Sequence, residues 1–400
     1  MIRLPVLFIM TNVMLDAMGI GLIVPVMPDL IRDIEGGTLA GAAVWGGILS
    51  TIYAVMQFLF GPTLGSLSDR YGRRPILLIS LGFMSLSYFL MATAGSMMLL
   101  IVARIVGGIT AASYATASAY MADISKPHEK AANFGLIGAG FGAGFVLGPL
   151  IGGFLGELGP RAPFYAAAGL AALNTVFGFF VLKETVTDAI RRPFDWRRAN
   201  PLGAFRQVAK LPGIGHLLAV YFIYQVAFNV YPSVWSFYTQ ERFGWSAQTI
   251  GLSLALFGIM MAIVQGGLIR LVLRWWGERR TVIYGHVFDI LVFGLIAIIS
   301  SGAIALVLTP LAALGAVITP ALQGMMSQRV SNDAQGELQG VLGSMNALAT
   351  ILAPLTMTST FALFTAPNTP VYLPGAPFLL SMVLVGVALV IFARRPSGMT

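Results

Sequence analysis

Three ionisable side chains lie inside runs that are otherwise apolar: Asp16 in LFIMTNVMLDAMGIGLIVPV, Arg104 in MMLLIVARIVGGIT and Asp289 in YGHVFDILVFGLIAI. Charge in such surroundings is costly, so by default it marks function. Withdrawal from water favours the neutral form of a carboxyl, and a carboxyl so placed can take up and release a proton. That is the chemistry proton coupling requires, and Asp16, Asp289 and Arg104 are its candidates. Asp16 is about twelve residues into its run, roughly 18 Å at the helical rise. Asp289 is only about two turns in, within reach of water. Arg104 suits two roles, ion-pair partner of Asp16 or clamp on backbone carbonyls. For Asp16 the competing role is structural, a carboxylate hydrogen-bonded to a neighbouring helix.

Two further groupings stand out. In GSLSDRYGRRP, Gly65 to Pro75, the charges Asp69, Arg70, Arg73 and Arg74 crowd between two apolar runs and must form a tight turn at one membrane face. Asp69, Arg70 and Arg73 can pair with Asp123, at the end of the fourth run, or cap helix ends. Such contacts would hold that face shut; the plainer alternative is a basic anchor, the role expected of Arg74. In GLIGAGFGAGFVLGPLIGG, the residues Gly144, Gly148, Gly152 and Gly153 let helices approach closely, and Pro149 bends the run.

The elements that carry these groups follow from composition. Of 400 residues, 57% are hydrophobic and 10% charged, with mean hydropathy +0.83; soluble domains carry about 25% charged residues. The chain reads as an integral membrane protein. Apolar runs of about 20 residues cross a roughly 30 Å hydrocarbon core as helices, and none shows the alternation of barrel strands. About twelve spans fit the pattern, among them 4–27, 44–64, 97–122 and 374–393. The predicted architecture is all-α: an N-terminal six-helix bundle over 1–182, a cytoplasmic linker over 183–210 and a C-terminal six-helix bundle over 211–400. Cytoplasmic loops hold the excess of Lys and Arg. With both termini cytoplasmic, only Arg32, Arg161 and Arg242 of the 24 basic residues fall outside, and Arg104 lies within a span. The N-terminal run lacks a small-residue cleavage site and reads as a permanent span. Setting Gly72 against Gly277 aligns SDRYGRRP with LRWWGERR, the weak internal symmetry expected where two bundles rock about a central site.

The stretch from Gly65 to Pro75 resembles the loop 2–3 signature of the major facilitator superfamily, G-x-L-x-D-R-x-G-R-R, at Gly65, Leu67, Asp69, Arg70, Gly72, Arg73 and Arg74. The spacing Gly135, Gly144, Gly148-Pro149, Gly152-Gly153 resembles the superfamily's antiporter signature, which implies export. Over nearly its whole length the chain is similar to the tetracycline/proton antiporters, as in LDAMGIGLIVPVMP at 15–28, ARIVGGITAA at 103–112 and ALQGMMSQRVSNDAQGELQG at 321–340. The resemblance implies the major facilitator fold with twelve transmembrane helices, a bacterial inner membrane location and a cytoplasmic gate of Gly65, Asp69, Arg70, Gly72, Arg73 and Asp123. It also implies that Asp16, Arg104 and Asp289 serve proton coupling and transport, and that the substrate travels as a divalent-metal chelate. Two positions depart from the family: Ser87 stands where an acidic residue is common, and Met261 where a histidine is common.

A planar, polar drug needs aromatic walls and a few amides in an apolar pocket. Gln57, Asn229, Gln323, Tyr114, Gln225 and Trp235 are the substrate-binding candidates, the first three foremost because an amide facing lipid would lack partners. Each aromatic has an equal claim to face lipid or to pack between helices. With no cysteine, disulfides and thiol sites are excluded. His128, His216 and His286 are scattered and make no metal constellation. Neither a phosphate-binding GxxxxGK[ST] nor a nucleophile–base pair occurs, so the chain reads as no enzyme, needing no resident cofactor. Basic residues spread over short loops speak against nucleic acid; the expected partners are a small-molecule drug, protons and membrane lipid. The expected function is proton-coupled export of tetracycline or a tetracycline-like compound from the cytoplasm. Alternatives are a multidrug or metabolite proton antiporter of other specificity, a proton-coupled importer, or a non-transporting receptor.

Overall fold

The computed structural model describes residues 4–111, 113–126, 128–188, 191–194, 200, 203, 213–331 and 334–394. Its elements are helical: α1 (Leu4–Ile23), α2 (Met27–Glu35), α3 (Leu39–Tyr71), α4 (Arg73–Thr93), α5 (Met97–Thr110), α6 (Ser113–Ile124), α7 (Lys130–Gly156) and α8 (Ala162–Val181). After the linker come α9 (Gly215–Phe228), α10 (Val230–Phe243), α11 (Ala247–Ile263), α12 (Ile269–Ile298), α13 (Gly302–Ala312), α14 (Ile318–Ser327), α15 (Gln335–Thr365) and α16 (Ala376–Ala393). A π-helical turn, Val264–Leu268, joins α11 to α12, and a 3₁₀ segment, Ala313–Val317, joins α13 to α14. Among the described residues there is no strand.

The described residues gather into two compact units, one drawn from Met1–Gly37, Ile52–Pro201 and Ser246–Ala255, the other from Thr38–Thr51, Leu202–Trp245 and Leu256–Thr400. In the first, α7 lies along α1 and α8 along α4; in the second, α16 lies against α12 and α9.

Eleven helices, among the described residues, are long and apolar enough to span a membrane, and one of them, Ala247–Ile298, is 52 residues long. At 1.5 Å per residue that is about 78 Å, more than two bilayer cores. Gly277 breaks it, with φ 69° and ψ 169°, so it makes two passes and the expected twelve are recovered. The glycine that the sequence aligns with it, Gly72, has φ 114° and ψ 151°. Ser96 and Ser301 in turn cap the next helices, α5 and α13, by accepting from Leu99 N and Ile304 N. Positions 72 to 277 and 96 to 301 are both 205 apart, so the two halves keep one register through turn and cap.

Several spans differ from simple rods. The second, expected over 44–64, runs over Leu39–Tyr71, because the loop has shrunk to Gly72 and the polar residues before it stay helical. The seventh breaks at Asn229 (φ −66°, ψ −1°), three residues before Pro232, whose missing N–H and bulky ring disfavour an unbroken helix. Pro310 likewise precedes the 3₁₀ segment.

The arginines that defy the charge rule have local reasons. Arg161 donates to Ala92 O at 3.0 Å and Ala94 O at 2.6 Å, at the C-terminus of α4, and pairs with Asp33 at 2.9 Å. Arg242 donates to Ile299 O at 3.0 Å and Ile298 O at 3.2 Å, at the C-terminus of α12. Each answers carbonyls that a helix end leaves without partners. Arg32 pairs with Asp29 at 2.6 Å.

Candidate functional site

In the first unit the turn at Gly72 is the entire link between α3 and α4. Its backbone lies in a region open almost only to glycine, and a Cβ there would run into the carboxylate of Glu184. Glu184 Oε1 accepts from the backbone N–H of Arg73, Thr185 and Val186, each at 2.9 Å, and Oε2 from that of Arg74 at 3.2 Å. A carboxylate at the first turn of α4 meets orphan amides and the positive end of the helix dipole. Sequence reasoning passed over Glu184; its only signal was an acid directly after the sixth span, on the same face as the basic turn.

Arg73 is the hub. Its guanidinium donates to Asp69, to Ser68 Oγ at 2.7 Å and, through Nε, to Asp123 Oδ2 at 3.4 Å. Thr185 Oγ1 donates to the same Asp123 oxygen at 2.9 Å, and Ser68 Oγ donates to Gly65 O at 2.8 Å. Gly65, Asp69, Gly72, Arg73 and Asp123 are thus brought together, joined by Ser68, Glu184 and Thr185. Arg70 is exposed, its guanidinium 5.0 Å from the ring of Tyr71. Arg74 donates to Phe179 O at 2.9 Å and lies over that ring at 5.3 Å, tying α4 to the end of α8.

Deeper in the same unit, Asn12, one turn before Asp16 on α1, donates Nδ2 to Asp16 Oδ2 at 3.4 Å. Tyr53 of α3 and Tyr88 of α4 each interact electrostatically with both Asp16 and Arg104. Arg104 lies 5.1 Å over the Tyr53 ring, a cation–π contact. Asp16 and Arg104 therefore share two aromatic neighbours. Ser87 donates to Ala103 O at 2.7 Å, so the family's acid is replaced, beside Arg104, by a neutral clamp on a carbonyl. Gln57 Nε2 donates to Ala111 O at 3.4 Å. The side chain of Tyr114 lies outside the described residues.

The glycines of α7 form a ridge laid against α1. A Cβ on Gly140, Gly144, Gly148 or Gly152 would overlap the carbonyl of Met10, Met14, Met18 or Leu22, in step. Four-residue spacing keeps these positions on one helix face. Pro149 meets both neighbours, since a Cβ on Gly21 of α1 would strike its ring and one on Gly251 of α11 its carbonyl, while a Cβ on Gly153 would strike Ala247 O of α11. Gly135 has open space around it.

In the second unit, Asp289 is 1% exposed and not within reach of water as its sequence position suggested. α12 restarts at Glu278, so Asp289 falls near the middle of its pass. Tyr224 of α9, also 1% exposed, places its hydroxyl 3.2 Å from Asp289 Oδ2 and 3.0 Å from Gly315 O. His286 is fully buried, its Nδ1–H donating to Val282 O at 2.7 Å and its ring stacked on Phe392. Tyr224 and Gly315 were missed from sequence, and His286 was read only as one of three scattered histidines; a tyrosine among apolar residues carries no signal of its partner.

The amide candidates have partners. Gln225 Nε2 donates to Asn346 Oδ1 at 2.7 Å, and Thr319 Oγ1 donates to Gln225 Oε1 at 3.2 Å, linking α9, α15 and α14. Asn229 Nδ2 donates to Gln225 O at 2.8 Å, and Gln323 hydrogen-bonds Tyr221. Trp235 is 1% exposed, packed among Tyr231, Tyr238, Trp245 and Phe378 with centroids about 6 Å apart. Met261, where a histidine is common in the family, packs on the apolar cluster of Val264, Ile269, Ala316 and Val317. Among the described residues no group of His, Asp and Glu is arranged to hold a metal ion.

Membrane-length helices in two compact units, a charged one-residue turn and a carboxyl buried at mid-span are the features of a multi-pass membrane protein. Residues 9–354 match the model of the Major Facilitator Superfamily. The chain belongs to that superfamily. It is 42% identical over 354 residues to the tetracycline resistance protein, class C, of Escherichia coli, covering 88% of this chain and 89% of that one. It is 40% identical over 350 residues to the class G protein of Vibrio anguillarum, covering 87% and 88%. Among solved structures, the human organic anion transporter MFSD10 (TETRAN) superposes with TM-score 0.70 at 25% identity, covering 97% of this chain and 99% of that one.

Proposed function

We propose that this chain is a proton-coupled antiporter that exports tetracycline or a tetracycline-like compound from the cytoplasm across a bacterial inner membrane, with both termini cytoplasmic. What carries the reading is the likeness to proteins named for tetracycline resistance, which extends over most of both chains. Two carboxyls in apolar surroundings, Asp16 bonded to Asn12 and Asp289 beside Tyr224, support proton coupling. The Arg73 hub, which binds α3, α4, α6 and the start of the linker to one another, supports a latch at the cytoplasmic face. The halves 1–182 and 211–400 would rock about the drug, with Gln57, Gln225, Asn229 and Gln323 supplying amides, Tyr114 aromatic surface, and the drug itself bringing any divalent ion, while Trp235 stays within its cluster of rings. External protons then run inward through the carboxyls as drug runs outward.

The test is uptake of labelled tetracycline by everted vesicles containing the full chain, with a susceptibility panel in the same cells. Uptake that an uncoupler abolishes is expected. Uptake indifferent to the uncoupler overturns proton coupling; a panel in which tetracyclines are untouched while other drugs are expelled overturns the substrate.

A further inference from the structure

The hydroxyl of Tyr224 lies between two groups that can both only accept when Asp289 is ionised: Asp289 Oδ2 at 3.2 Å and the carbonyl of Gly315 at 3.0 Å. A phenol has one hydrogen. With Asp289 ionised, the charge-assisted bond to the carboxylate is the stronger, and Gly315 O loses its tyrosine donor. With Asp289 protonated, the carboxyl becomes a donor to the phenol oxygen, and the phenol hydrogen passes to Gly315 O. Both bonds are then made.

Gly315 belongs to the 3₁₀ segment Ala313–Val317, which interrupts the pass formed by α13 and α14. A mid-helix 3₁₀ stretch often marks a hinge. A Cβ on Gly315 would overlap the Asp289 carboxyl, so hinge and carboxyl lie in direct contact. We infer that Tyr224 is a positioning residue that reports the protonation of Asp289 to the hinge at Ala313–Val317, locking it when the proton is on. The inference rests on the reading of Asp289 as a proton-coupling group.

Among the described residues no other charge is placed to do this. The π turn, α13, the 3₁₀ segment, α14 and α16, which pack on α12, contain no ionisable residue. From α9 come Tyr224, Tyr221, bonded to Gln323, and His216 at the helix start. From α10 comes Tyr231, which interacts electrostatically with Asp289. His286, on α12 itself, spends its Nδ1 hydrogen on Val282 O.

The chain has no cysteine, so Leu311→Cys, at a 41% exposed site two residues before the hinge, can carry an environment-sensitive fluorophore in the full-length, reconstituted protein. Its fluorescence is recorded against pH without a gradient. A pH-dependent change is expected in the reporter chain, and none after Asp289→Asn. Tyr224→Phe, checked for an unaltered melting temperature, should lose most of the change, because the pH-driven shift in the hinge equilibrium constant, about fivefold for one hydrogen bond, passes through that hydroxyl. A second variant puts 4-aminophenylalanine at position 224. Its two N–H groups serve both acceptors at once, so packing is kept and the choice is lost; the same loss of the change is expected, and it decides the matter if Tyr224→Phe does not fold. A reporter indifferent to pH, or full amplitude in either variant, overturns the inference and leaves Asp289 its coupling role. If Asp289→Asn keeps both the pH response and uncoupler-sensitive uptake, the reading of Asp289 itself falls.

Discussion

Gly72 and Gly277 occupy matched turns with the same unusual backbone, yet their surroundings have diverged. Gly72 is buried, and Glu184, Arg73, Asp69 and Asp123 close around it. Gly277 is exposed with nothing near the place of a Cβ, and Glu278 beside it makes one bond, accepting from Gln328 Nε2 at 2.9 Å. The carboxyls show the reverse contrast. Asp16 in the first unit is half-buried, whereas Asp289 in the second is buried. Backbone geometry outlasted side-chain chemistry in the two copies, because a turn of one residue demands glycine whatever surrounds it. The difference sets the closed polar cluster of the first unit's turn against the buried carboxyl of the second.

The largest effect is expected at the carboxyls. Asp289→Asn should abolish uncoupler-sensitive uptake in everted vesicles, while Asp16→Asn, at the half-buried site, should leave a measurable remainder; equal losses would break the contrast. Next come the glycines. Gly277→Ala should cost about 1–3 kcal/mol for a side chain at that backbone. Gly72→Ala should cost about 1 kcal/mol more, as Glu184 is pushed off the amides it serves; thermal unfolding of the purified protein compares them. Glu184→Gln should lose about 1 kcal/mol of charge-assisted bonding, against less than about 0.5 kcal/mol for Glu278→Gln at a single surface bond. Denaturant midpoints read the gap. Smallest is Arg73→Lys, in which an ammonium cannot reproduce the fork to Ser68, Asp69 and Asp123. A fall in melting temperature is expected there and none for Arg280→Lys; identical melting would mean the hub adds nothing to stability.

Much of the fold was legible because its signals are local. Asp69, Gly72 and Arg73 announced their turn by crowding between two apolar runs, and Gly277 announced its counterpart by alignment. The α7 glycines declared close packing but not their partner; α1 had to be seen. Asp289 was misjudged in depth because its helix restarts at Glu278, a boundary that apolar Val282 and Ile283 obscure. Trp235, read as a drug-facing aromatic, is packed on four rings. Lipid is as apolar as leucine, so composition does not tell a lipid-facing ring from a packed one.

The sequence by itself determined that the chain crosses a membrane about twelve times, that its basic residues favour one face, and that a glycine turns each half back on itself. These depend on run length, charge and a backbone only glycine adopts, all properties of short segments. Tertiary structure alone decided that Glu184, 111 positions from Arg73, caps α4, and that Tyr224, 65 positions from Asp289, holds that carboxyl against Gly315. A hydrogen bond needs its partners within about 3 Å, and only the packing of distant helices brings such residues that close.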